Sequence, residues 1–215
     1  MKKFFTLIAA VAMAASVNAQ TEWNFSTWED ATIDAETTVD GLTIYADTDK
    51  PVTVDANKKT VDDVTYVKRL KLGGSGSVAD LAALNRVVAF DVTGPADIYV
   101  VAAHASSSGD ARVLKFDAVV DDAAANFGEL SLEAKECKSG TVKYTGNAAK
   151  ILVYSGKSGI NLYDIKVTPS TPTGITNVNA AAVAADAPAY NLAGQKVAPS
   201  YKGIVIKNGK KFLNK

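Results

Sequence analysis

The sequence predicts an all-β protein: a two-sheet antiparallel sandwich, jelly-roll-like, followed by a small C-terminal β-hairpin unit. Three observations lead there. Across residues 23–167, short apolar runs alternate with polar residues at period two. Clusters of Gly, Asp, Asn and Ser, which favour turns, separate these runs. No stretch between them has the length and periodicity of the crossover helices that parallel strands require. An up-and-down barrel would satisfy the same pattern.

Residues 1–19 begin Met1-Lys2-Lys3, continue as an apolar run and end Val17-Asn18-Ala19. A basic start, a short apolar core and small residues at −3 and −1 make a secretory signal peptide cleaved after Ala19. No cysteine follows the run, so a lipoprotein anchor is not indicated, and no other stretch approaches transmembrane length. The expected product is secreted, extracellular or at the outer-membrane surface (periplasmic if its tail is not recognised), without membrane insertion.

Residues 41–46 and 66–72 read as strands, the second with Tyr66, Lys68, Leu70 and Leu72 on one face and Val67, Arg69 and Lys71 on the other. Residues 86–92 and 97–103 flank Thr93-Gly94-Pro95 and read as a hairpin. Further strands fall at 113–116, 140–144, 150–154 and 160–167. Residues 78–84 and 121–126 favour short helices. Together these define a sandwich domain over 20–168. Residues 169–187, rich in Pro, Thr and Ala, read as a linker. The tail, 188–215, recovers strand pattern, and Asn208-Gly209 between two such runs signals a type I′ hairpin. So small a unit needs docking or a partner to be stable.

At 47% hydrophobic and 21% charged residues the chain is globular, not disordered. The 23 basic and 23 acidic residues balance. Without Lys2 and Lys3 the mature chain holds 21 basic against 23 acidic side chains, net −2, too little excess Lys/Arg for general nucleic-acid binding. One Cys and one His exclude an intrachain disulfide and a multi-ligand His/Cys metal site.

The tail, YNLAGQKV followed by KGIVIKNGKKFLNK, resembles C-terminal sorting segments of secreted proteins from Gram-negative gut anaerobes, though it is shorter than a full sorting domain. That likeness implies outer-membrane secretion machinery as a partner. The body carries Trp23-Asn24-Phe25-Ser26, Arg69-Leu70-Lys71-Leu72-Gly73-Gly74, RVVAFDVTG and ARVLKF, and closes with Ile151-Leu152-Val153-Tyr154-Ser155-Gly156 and Gly159-Ile160-Asn161-Leu162-Tyr163-Asp164-Ile165. In that order these motifs resemble the non-catalytic, carbohydrate-binding-module-like β-sandwich found beside bacterial pectate lyases. The β-helical catalytic domain of those enzymes is not present. The resemblance implies a polysaccharide or glycan partner.

Sugar binding needs aromatic faces for stacking and planar polar groups for hydroxyls or carboxylates. Arg69, Lys71 and Arg112 supply the second kind, and the outward pair Arg69/Lys71 suits an anionic polysaccharide such as pectate. Trp28 and Tyr154 are candidate stacking platforms, while Trp23 reads as core and Tyr163 as a further outward aromatic. For catalysis the inventory is thin. His104 reads as structural, Cys137 as an unpaired strand thiol, and the adjacent pairs Asp62-Asp63 and Asp121-Asp122 as strand residues on opposite faces. Asp47-Thr48-Asp49 hints at calcium but lacks EF-hand spacing. No cofactor is expected, although a structural calcium ion suits a sandwich of this kind. Gly73-Gly74-Ser75-Gly76-Ser77 lacks a phosphate-loop Lys and reads as a turn. The expectation is a non-catalytic carbohydrate-binding protein. The alternative is a structural or adhesive surface protein that binds another protein and has no glycan site.

Overall fold

The computed structural model describes residues 20–170, 188–198, 201–207 and 210–214. The expected signal peptide, most of the linker and Asn208-Gly209 lie outside the described residues. The chain divides into two compact units between Thr171 and Pro172.

The first unit is built from β1 (Thr21–Asn24), β2 (Ala31–Ile33), β3 (Thr37–Val39), β4 (Leu42–Tyr45), β5 (Val52–Val61), β6 (Val64–Lys71), β7 (Val87–Val92), β8 (Ala96–His104), β9 (Arg112–Val120), β10 (Ala123–Leu132), β11 (Cys137–Tyr144), β12 (Ala149–Ser155) and β13 (Ile160–Pro169). One 3-10 turn, Phe25–Thr27, follows β1. A seven-stranded sheet runs β11-β8-β13-β6-β5-β2, with β1 paired to the part of β13 beyond β6. A six-stranded sheet runs β10-β9-β12-β7-β4-β3. Every pairing in both is antiparallel.

Alternation delivers one row of each sheet to a shared core. Val52, Val54, Leu70, Leu72, Ile98, Val100, Ile160, Leu162 and Ile165 come from the seven-stranded sheet. Leu42, Ile44, Val88, Phe90, Leu114, Phe116, Ile151 and Val153 come from the six-stranded sheet. The predicted sandwich is the observed one. Trp23 is core as expected, its ring 5.2 Å from Phe90 and its Nε1 donating to the Asp40 carbonyl at 3.0 Å.

The second unit contains β14 (Ala189–Tyr190), β15 (Lys196–Val197), β16 (Gly203–Lys207) and β17 (Lys210–Asn214). They form a four-stranded sheet in the order β15-β14-β16-β17, larger than the single hairpin predicted, although β16 and β17 pair as expected.

Several expectations change. Residues 86–92 and 97–103 are not a hairpin: β7 pairs β4 and β12, whereas β8 pairs β11 and β13 in the other sheet. Thr93-Gly94-Pro95 therefore carries the chain across the sandwich. Both strands bury both faces, which a period-two reading cannot distinguish from neighbours in one sheet.

Residues 78–84 form turns, not a helix. The Asp80 side chain accepts from the Ala82 N–H at 2.9 Å, and paired Ser77/Asn85 backbones close the loop after too few residues for a helical nucleus. Its Val78, Leu81 and Leu84 cover Val87, Ala89, Leu152 and Tyr154 on the outer face of the six-stranded sheet. Gly76 permits that closure, because a Cβ there would lie 2.6 Å from Tyr154 Cβ and 3.0 Å from the Arg86 carbonyl.

Residues 121–126 form no helix either. Asp121 (φ 49°) and Asp122 (φ 59°) make a two-residue turn, with Val120 paired to Ala123. Asp62 (φ 49°) and Asp63 (φ 63°) do the same between β5 and β6, so neither acidic pair sits on a strand. Aspartate tolerates this left-handed backbone better than most residues, which is why the turns fall where they do.

Candidate functional site

Two irregularities in the seven-stranded sheet shape its outer face. The β5–β6 register shifts between Ala56 and Lys59, and that of β13 with β8 shifts between Leu162 and Asp164. An extra residue in one strand reverses which side chains face the core. Leu70 and Leu72 thus join the interior, whereas Tyr66 packs outside with Val101, Ala103 and Tyr163, against the expectation that Tyr66 and the leucines share a face.

Beside that outer cluster lies a cleft of about 220 Å³, lined principally by Asn57, Lys59, Arg69, His104, Lys135 and Asn161. The sheet supplies its floor. Arg69 is clamped by Asp55 through Nε–Oδ1 at 2.6 Å and Nη2–Oδ2 at 3.1 Å, which fixes its guanidinium plane. Tyr163 donates its hydroxyl to Asn57 Oδ1 at 2.6 Å, orienting that amide. Asn161 is 3% exposed, and its Oδ1 has no hydrogen-bond partner.

One rim is the loop after β8, held by His104. The imidazole Nδ1 lies 2.7 Å from the Ser106 carbonyl and Nε2 lies 3.1 Å from that of Asp110, so this histidine is structural. The other rim is the turn at Lys135, whose N–H donates to the Ser106 carbonyl at 3.1 Å. Lys59, Arg69 and Lys135 carry positive charge, and no carboxylate lines the cleft. Cys137 lies half-buried at the start of the edge strand β11. Burial pushes its pKa up, outweighing Lys59, which pulls it down.

Further along the same face, Asp164 is fully buried and accepts from the Tyr66 hydroxyl at 3.3 Å. Lys166 bridges it to Glu22, each contact being 3.3 Å. Burial raises the Asp164 pKa despite Lys166, because desolvation penalises the carboxylate more than the pairing rewards it. A raised folded-state pKa means that the native chain holds this proton more tightly than the unfolded chain. Stability should then fall as pH rises from below the ordinary aspartate value through the folded one. Denaturation midpoints measured from about pH 3 to pH 7 should show that loss in the native chain and less of it in Asp164→Asn. The opposite slope would mean that the Lys166 pairing prevails.

On the other sheet, a cleft of about 570 Å³ is lined by Val78, Asp80, Leu81, Asp117, Asp122 and Ala124, among others. Asp117 is spoken for: Tyr154 donates its hydroxyl to Oδ2 at 2.9 Å and Asn126 its amide to Oδ1 at 2.8 Å.

Of the residues singled out from sequence, Arg69 lines the basic cleft. Lys71 is exposed and pairs in register with Asn161. Arg112 stands apart on β9, its Nη1 donating to the Gly159 carbonyl. Tyr154 is 8% exposed beneath the 78–84 loop and offers no free ring face. Trp28 is half-buried, packs edge-on against Phe25 at 5.0 Å and leans on the core. Of the two aromatic candidates, Tyr154 is corrected.

Asp47 serves a turn, its Oδ1 accepting from the Asp49 and Lys50 N–H groups at 2.9 and 2.8 Å, and its Oδ2 from Asn85. Among the described residues, no group of three or more His, Cys, Asp or Glu side chains is placed to hold a metal ion. Among them, too, no helix is long and apolar enough to cross a membrane. Sequence reasoning missed Asn57, Lys59, Lys135 and Asn161 as site residues. The available signal was Asn161, one amide at an outward position within an apolar run.

No family model and no curated protein matches the sequence. Among solved structures, the chain is similar to the xylan-binding CBM22-1 domain of Paenibacillus barcinonensis Xyn10C, at 11% identity and TM-score 0.42, over 72% of this chain and 97% of that one. It is also similar to the N-terminal CBM22-1–CBM22-2 tandem domain of the same protein, at 12% identity and TM-score 0.47, over 77% of this chain and 50% of that one. A third likeness is to the CBM36-1 domain of a multidomain xylanase from the hindgut metagenome of Trinervitermes trinervoides, at 9% identity and TM-score 0.35, over 69% of this chain and 96% of that one.

Proposed function

We propose that this chain is an exported, non-catalytic carbohydrate-binding protein whose site is the basic cleft on the seven-stranded sheet, and that its ligand is an acidic polysaccharide. The observation that carries the reading is Asn161: it lines a cleft whose charged lining is wholly basic, and its amide oxygen is buried without a partner. A buried acceptor left unpaired costs about 1–3 kcal/mol, which a donor from a ligand hydroxyl would recover. Lys59 and Lys135 would meet the carboxylates of a uronate chain, and Asn57 and the Arg69 N–H groups not engaged by Asp55 its hydroxyls. Export rests on the character of residues 1–19, and a role for secretion machinery rests on the tail's resemblance.

The test is isothermal titration of the pure protein with polygalacturonate and with neutral xylan at several salt concentrations. Polygalacturonate should bind, more weakly as salt rises. Asn161→Ala should weaken binding about 10- to 100-fold, the range that corresponds to one buried hydrogen bond, with the melting temperature little changed. Failure to bind any glycan would favour an adhesive protein instead, and cleavage of polygalacturonate would overturn the non-catalytic reading.

A further inference from the structure

Charge is unevenly divided along the chain. Residues 188–215 contain six lysines and no Asp or Glu, net +6. Residues 20–187 hold the remaining 15 basic side chains against all 23 acidic ones, net −8. The basic segment also holds the two most exposed large apolar side chains among the described residues, Leu213 at 66% and Leu192 at 63%, and Ile204 is 44% exposed. In the register of β16 with β17, Ile204 opposes Leu213 and Ile206 opposes Lys211, so these four side chains share one face at the strand period. Leu192 and Tyr201 join Ile204 around a cleft of about 400 Å³. Val205, of opposite parity on β16, is buried.

We propose that this face of the C-terminal unit docks on an anionic lipid surface. A bilayer of anionic and zwitterionic lipids attracts cations and offers no cationic patch to be matched, which suits a segment with no Asp or Glu. The chemistry of the apolar residues agrees. Leucine and isoleucine tips enter the boundary between headgroups and acyl chains, while exposed lysines such as Lys196, Lys202 and Lys211 extend to the phosphates. Adsorption of this kind needs no spanning segment.

The test is cosedimentation of the chain from Gln20 onward, which contains both folded sheet systems, with phosphatidylglycerol–phosphatidylcholine vesicles and with phosphatidylcholine vesicles alone. Binding to the anionic vesicles is expected, with little to the neutral ones. Each lysine near such a surface contributes about fivefold in partitioning, so Lys196→Gln/Lys202→Gln/Lys211→Gln should lose roughly 100-fold. Leu192→Ser/Leu213→Ser should also lose binding, and what remains should vanish at high salt, because only the electrostatic part is screened. Equal binding to both vesicle types, no binding to either, or undiminished binding by either variant would overturn the proposal. So would tighter retention on immobilised polyglutamate than on vesicles, which would point to an acidic protein as the partner.

Discussion

Phe116→Ala is expected to lower the unfolding free energy of the sandwich by about 3–5 kcal/mol. Phe116 is fully buried on β9, and its ring begins an aromatic row that crosses the core. It meets Phe127 edge-to-face at 6.3 Å, and Phe127 meets Tyr144 on β11 at 5.0 Å. The row therefore joins the six-stranded sheet to the seven-stranded one at their outer strands, where β10 and β11 are also consecutive in the chain. Truncation removes the transfer energy of the ring and leaves a void that strand backbones on both sides cannot collapse to fill. Urea denaturation followed by circular dichroism should show a lower midpoint at unchanged slope. A loss below about 1 kcal/mol would mean that Phe127 swings in to fill the space.

Tyr154→Phe should cost about 1–3 kcal/mol although it deletes a single oxygen. Its target, Asp117, is 4% exposed and depends on two donors, the Tyr154 hydroxyl and the Asn126 amide. With the hydroxyl gone, one carboxylate oxygen faces an apolar ring in a region that the 78–84 loop covers. Asp117→Asn in the same background should restore part of the loss, since a neutral amide is cheaper to leave half-paired. Full stability in Tyr154→Phe alone would show that solvent reaches Asp117 through the adjoining cleft.

The sandwich was legible because most of its strands bury one face, so period-two alternation survives in the sequence, as in Leu42–Tyr45 and Val52–Val61. It failed at Val87–Val92 and Ala96–His104, where a loop or an outer cluster covers the second face and alternation disappears. The short helices were misread for a related reason: residues 78–84 have helical composition, but Asp80 diverts their backbone hydrogen bonds into turns. For the site, Arg69 could be placed because it alternates with core leucines. Asn57, Lys59, Lys135 and Asn161 are brought together only by strand order and two register shifts, which no local pattern encodes. Tyr154 looked like a stacking platform because residue type does not report which ring ends beneath a loop.

The chain's two tryptophans, Trp23 and Trp28, flank the 3-10 turn of the first unit, and residues 172–215 contain none. Indole emission therefore arises within the sandwich and from no residue of the lysine-rich sheet. A melting step seen in far-ultraviolet signal but silent in emission can be assigned to that sheet without labelling either part.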